Sequence, residues 1–165
     1  MDEGTRVRTY AGIGSRETPV PILQQMATIA EDLATLGYLL RSGGARGADQ
    51  AFERGAARKK GSIESFKSVD ATPEAIALSA RFHPGWAHVV AKGPYVVGLH
   101  GRNAMIVAGR DLKTPVAFGV CWTKDGRDSG VTGQAIRIAL GYNIRIYNLF
   151  YAESRVALGG PAIKL

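Results

Sequence analysis

Tyr38-Leu39-Leu40-Arg41-Ser42-Gly43-Gly44-Ala45-Arg46-Gly47-Ala48-Asp49 is the stretch that decides the fold. Residues 38–41 read as a strand. The next run is polar and rich in glycine. From Ala48 the period changes, because Ala48, Ala51, Phe52 and Ala56 recur at the spacing of one helical face. A strand that opens through glycines into a helix is the repeating piece of a parallel α/β sheet.

The same piece occurs upstream. Val7 to Gly12 is a strand candidate that runs into Gly12-Ile13-Gly14-Ser15-Arg16, and from Thr18 a helical pattern begins. Val20, Leu23, Met26, Ala27, Ala30 and Leu33 form its apolar repeat. Pro19 and Pro21 suit a first turn, where a missing N–H costs nothing, and Leu36-Gly37 reads as the stop. Downstream, the helix from Ala48 fades into Arg58-Lys59-Lys60-Gly61, and Ser62 to Phe66 is a third strand. Residues 67–94 carry the weakest pattern. Within them Thr72-Pro73-Glu74 reads as an N-cap and a first turn, and His83-Pro84-Gly85-Trp86 as a turn. Tyr95 to Val107 is a helix candidate interrupted by Gly98 and Gly101. Val116 to Trp122 is a continuous apolar run, the mark of a central parallel strand covered on both faces. A loop from Lys124 to Val131 leads to Thr132-Gly133-Gln134 and a helix with Ala135, Ile136, Ala139 and Leu140 inward and Gly141 as its cap. Ile144 to Leu149 is the last strand, and the tail from Tyr151 has little signal. The expected fold is α/β: one domain over residues 1–165, a three-layer Rossmann-like parallel sheet with helices on both faces.

Bulk properties agree with one soluble domain. The chain has 165 residues and a formal net charge of +7, a balance that favours anionic partners or serves solubility alone. Its 21 glycines gather at specific turns. Cys121 stands alone, which excludes an internal disulfide and fits a reducing cytosol; its apolar surroundings make it a core filler. The polar start MDEGTRVRTY does not read as a signal peptide, and no apolar stretch approaches the roughly 18 residues of a membrane span. A cytoplasmic location without membrane attachment is expected. His83, His88 and His100 lack ligand spacing, so neither a metal nor a cofactor is expected.

Chemistry is expected at the carboxyl ends of the strands, where open α/β sheets bind ligands. Three loops fall there: Gly12 to Arg16, with Gly14 and Ser15; Ser42 to Asp49, with Gly43, Gly44, Arg46 and Gly47; and Ser129 to Gln134, with Gly130, Thr132 and Gly133. Each precedes a helix, whose free N–H groups and positive dipole end favour an anion. A single such loop is as easily a plain strand-to-helix turn; three on one edge point to phosphate. Arg16, Arg46 and Arg102 can grip phosphate bidentately or simply face solvent. Asp49 can accept from a ribose hydroxyl or a base, or cap its own helix. His100 can line the pocket or pack. Trp86, Trp122, Tyr10 and Tyr95 can stack on bases, although Trp122 and Tyr10 read better as core.

Four segments resemble the DNA-processing protein A (DprA/Smf) family of the SLOG superfamily. Ser42 to Asp49, with Ala51 and Gly55-Ala56, resembles its signature loop, and Gly12 to Arg16 its first strand-loop. Arg102-Asn103-Ala104-Met105-Ile106-Val107-Ala108-Gly109 resembles its Arg-Asn segment, and Ser129-Gly130 through Ala135 its late loop. The order is the family's, over roughly residues 7–149. The resemblance implies a Rossmann-like domain that binds a nucleotide or single-stranded DNA. The chain is too short for the flanking domains many DprA proteins carry, and looks more like the stand-alone phage and bacterial forms. A homodimer is compatible with it.

More distantly, the chain is similar to LOG-type phosphoribohydrolases, which imply cleavage of a nucleoside-phosphate N-glycosidic bond. Their Pro-Gly-Gly-x-Gly-Thr loop is followed by a glutamate. The matching stretch here, Ser129 to Arg137, has glutamine or arginine in that region. Asp49 and Glu64 are the carboxylates that would substitute by position. Three functions therefore stand side by side: a nucleotide- or single-strand-binding module, an N-glycosidase, and a binder of a signalling nucleotide.

Overall fold

The computed structural model describes residues 7–160. The polar stretch at 1–6 and the tail at 161–165 lie outside the described residues. Five short strands form one all-parallel sheet: β1 (Thr9–Gly12), β2 (Leu39–Ser42), β3 (Ile63–Ser65), β4 (Phe118–Cys121) and β5 (Ile146–Asn148). Their spatial order is β3-β2-β1-β4-β5. Consecutive connections step outward from β1 to β3, and the next crossover returns to the other side of β1. The sheet therefore has a topological switch point between β1 and β4, where the two crossovers leave a crevice.

Alternation along the strands assigns the two faces. Tyr10, Leu40 and Val120 point to one side, where they pack with Ile22, Met26 and Ile29 of α1 (Val20–Thr35) and Phe52 of α2 (Ala48–Arg58). Ala11 and Cys121 point to the other, against Met105 and Ile106 of α5 (Pro94–Ala108) and Ile138 of α6 (Gly130–Gly141). The expected three-layer arrangement is present. Tyr10 and Trp122 belong to the core, as their neighbours in sequence suggested.

The weakly patterned segment is helical. After a 3₁₀ turn at Ser68–Asp70 come α3 (Pro73–Arg81) and α4 (Trp86–Ala91), and α5 follows directly. Thr72 caps α3, accepting from the Ala75 amide at 3.1 Å. Helices of nine and six residues are too short for an apolar repeat to stand out. The two glycines that blurred α5 are packing sites: a Cβ on Gly98 would strike Ser68, and one on Gly101 would strike Ile76. The tail adds α7 (Ala152–Ala157).

Two inner stripes need correction. In α1 Met26, Ala27 and Ala30 are buried and Leu23 and Leu33 pack against the same core, as expected, but Ile22 and Ile29 join the buried row while Val20 is 64% exposed. In α6 it is Ala135, Ile138 and Ala139, while Leu140 is 67% exposed. The helical stop after α1 is at Gly37 (φ 85°), with Tyr38 N–H bonded to the Leu33 carbonyl at 2.9 Å and Gly37 N–H to that of Ala34 at 3.0 Å. After α6 the same device falls on Asn143 (φ 58°), whose successor Ile144 donates to Ala139 at 2.8 Å. Gly141 is not the cap. It lies in the last turn, where the Phe82 ring occupies the place of a Cβ.

Candidate functional site

A cleft of about 680 Å³ opens at the carboxyl edge of the sheet. Its floor is the loop after β1 (Ile13 to Glu17) and the loop after β2 (Gly43 to Ala45). Lys67 and Ser68 enter beyond β3, and Thr123 and Lys124 beyond β4. Tyr95, Leu99, Arg102 and Asn103 of α5 form one wall, and Ser129 to Thr132 at the start of α6 another. All three glycine-rich loops of the sequence thus meet at one place.

Arg102 is the most buried of the cations that line the cleft, with only 6% of its surface exposed. Its Nη1 donates to the carbonyls of Gly43 and Phe66, each at 2.9 Å, so the arginine holds the ends of β2 and β3 in position. Its Nε is buried without a partner. Burial pushes the Arg102 pKa down, and the charge of Asp49 opposes that. Gly43 is required here because Arg102 and the Asp49 carboxylate occupy the space of a Cβ. Asp49, 3% exposed, accepts from the Ala45 amide at 3.2 Å. Burial raises its pKa to about 6, against the opposing effects of Arg102 and of the Ala45 and Gly14 amides.

Around this pair the surface is basic and rich in N–H groups. Arg16, Lys67 and Lys124 are exposed on the lining, and the Lys67 ammonium reaches the Gly43 carbonyl at 3.4 Å. Ser129, the N-cap of α6, does not cap it; its hydroxyl donates to Asp125 at 3.1 Å instead. The amides of Gly130, Val131 and Thr132 in the first turn therefore lack both carbonyl and side-chain acceptors. Asn103 fixes this turn, donating to the Val131 carbonyl at 2.8 Å. The loop after β1 acts through its own backbone and Arg16, because α1 starts beyond it at Val20.

Of the residues singled out in the sequence, Gly14, Ser15, Arg16, Gly43, Gly44, Asp49, Tyr95, Arg102, Asn103, Ser129, Gly130 and Thr132 line the cleft. The others have different places. Gly12 makes room for Phe52 and Leu40, and Ser42 donates to the Gly12 carbonyl at 2.6 Å, tying β2 to β1. Gly47 (φ 86°) turns the chain against Ser15 and Arg16, and Gly133 packs on the backbone of Asp128. Arg46 is exposed outside the lining. Gln134 is fully buried and donates to the Ser79 carbonyl at 2.6 Å, so it staples α6 to α3. Glu64 lies within β3 and pairs with Arg41 at 3.1 Å, away from the cleft. His100 also lies outside the lining: its Nδ1 donates to the Val96 carbonyl at 2.9 Å, and its ring packs against His83 and Trp86.

Lys67, Ser68, Thr123 and Lys124 were missed by the sequence reading. Each follows a strand that it had recognised, so the carboxyl-edge rule applied to β3 and β4 would have found them. Among the described residues no cluster of histidine, cysteine or carboxylate side chains is arranged to hold a metal ion. Cys121 is buried, which pushes its thiol up to about 12. Among the described residues no helix is long and apolar enough to cross a membrane. No protein-family model, curated protein or solved structure matches the chain.

Proposed function

We propose that this protein binds a nucleotide or single-stranded nucleic acid in the manner its DprA-like loops imply, with phosphate in the cleft at the carboxyl edge of the sheet. The observation that carries this reading is the convergence of Arg16, Lys67, Arg102 and Lys124 with the open first-turn amides of α6 on one cleft. Four cations there face only two carboxylates, Glu17 and Asp49. A site with that balance, backbone donors and a helix N-terminus favours a phosphate dianion. Its volume lies in the range of small-ligand sites, roughly 300–1,000 Å³.

The test is thermal stabilisation by nucleoside mono-, di- and triphosphates, ADP-ribose, cyclic nucleotides and a short oligodeoxynucleotide. A ligand at about 100 times its dissociation constant adds roughly 2.7 kcal/mol, a rise of several degrees for a domain of this size. Arg16→Ala with Lys124→Ala removes two exposed cations and is expected to weaken binding by at least about tenfold. Arg46→Ala, outside the lining, leaves binding unchanged. Absence of any shift, or equal binding by the double variant, would overturn the proposal.

A second reading, N-glycosidic hydrolysis, has one observation in its favour. Asp49 is a cleft carboxyl whose pKa of about 6 suits proton transfer near neutrality. It requires free base to accumulate when a nucleoside monophosphate is incubated with the protein, and Asp49→Asn to abolish that release.

A further inference from the structure

We infer that the cleft takes a mononucleotide whose base lies flat on Tyr95, between Val69 and Leu99. This rests on the phosphate reading above and specifies what the phosphate carries.

Polarity in the cleft is segregated. Cations and backbone amides hold the floor and the α6 side, whereas the wall at the start of α5 is apolar. Val69 is 91% exposed and Tyr95 63%, in a chain that buries Tyr10 and Trp122 almost completely. Tyr95 and Leu99 are four residues apart on α5 and so share a face. Val69 reaches the same wall because α5 comes unusually close to the 3₁₀ turn: Gly98 has no side chain to keep Ser68 away. Ser68 Oγ then donates to the Tyr95 carbonyl at 2.8 Å and locks the two segments together. The Tyr95 ring contacts no other aromatic ring among the described residues, and it lines the cleft together with Arg102. The ring therefore belongs to the cleft and has a face free for a planar ligand.

A single stacking platform argues for a single base. Proteins that track a strand lay successive bases on successive aromatics along a basic groove. Here Tyr95 is the one aromatic side chain among the described residues that line the cleft.

The experiment is calorimetric titration of the full chain with AMP, GMP, CMP and UMP, with ribose 5-phosphate as the baseless probe and an oligothymidylate as the strand probe. At least one nucleotide is expected to bind more tightly than ribose 5-phosphate. Tyr95→Ala should remove that advantage, a loss of about 5- to 150-fold, and leave ribose 5-phosphate binding unchanged. Tyr95→Phe should retain it. Equal binding of ribose 5-phosphate and every nucleotide, or a nucleotide advantage that survives Tyr95→Ala, would overturn the inference while the phosphate site stands. Tight binding of the oligonucleotide alone would do the same. Failure of every probe would overturn the phosphate site as well. Tyr95 is a surface residue, so an unchanged melting temperature verifies that the variants are folded.

Discussion

At the scale of single residues, Asp49 decides most. It stands in the first turn of a helix, inside a basic cleft, where an ionised carboxylate meets favourable partners. Burial nevertheless dominates and raises its pKa to about 6. Below about pH 4 the carboxyl is protonated in both folded and unfolded chains. Between about pH 4 and 6 the unfolded chain gives up this proton and the folded chain keeps it, so stability falls as pH rises. Above that window the loss is constant, about 3 kcal/mol. Asp49→Asn has no such proton and keeps an oxygen for the Ala45 amide. Urea denaturation from pH 4 to 8 should therefore show the variant gaining on the wild type up to about pH 6 and then running parallel. A constant difference over the whole range would mean that Asp49 ionises normally.

At the scale of elements, α1 and α2 show close packing overriding helical propensity. Gly55, in the middle of α2, lies directly on the Ala27 carbonyl of α1, with no space for a Cβ. Alanine is the better helix former by about 1 kcal/mol, and in an exposed helix Gly→Ala would stabilise. Here the added methyl must separate two helices or bend one, an overpacking cost of about 1–3 kcal/mol. Gly55→Ala is expected to be destabilising by up to about 2 kcal/mol net, with a midpoint shift in urea and unchanged slope. A gain in stability would place the helices farther apart than described. The same physics explains why Gly98 and Gly101 obscured α5: a sequence pattern counts glycine as a helix breaker and cannot see the turn or helix that packs on it.

For the whole molecule, the balance of charge matters more than its total. The net +7 of the chain would suit any anion, but four of the cations gather on one cleft with two carboxylates. Exposed cations such as Arg16 and Lys124 act across solvent and are screened by salt, with a Debye length falling from about 10 Å at 0.1 M to about 3 Å at 1 M. Nucleotide affinity should accordingly weaken by about three- to tenfold between 50 and 500 mM KCl. In the Arg16→Ala, Lys124→Ala variant this dependence should be much flatter. A salt slope unaffected by the two substitutions would assign the attraction to the diffuse charge of the surface.

The parallel α/β arrangement, the glycine-rich turns at one edge, the Thr72 cap and the buried Tyr10, Trp122 and Cys121 were all legible in the sequence. Each of these depends on local spacing, on backbone freedom at a turn or on the apolarity of immediate neighbours. The division of labour within the loops was not legible. Ser42, Arg46, Gly47 and Gly44 stand in one segment, yet only Gly44 among them lines the cleft. Gln134 and Glu64 have side chains fit for a site, but Ser79 and Arg41 engage them elsewhere. Lys67, Tyr95 and Lys124 come from three separate segments and become neighbours only when β3, β4 and α5 are assembled. A side chain's role depends on what lies across from it, and that partner is set by tertiary packing between residues far apart in the chain.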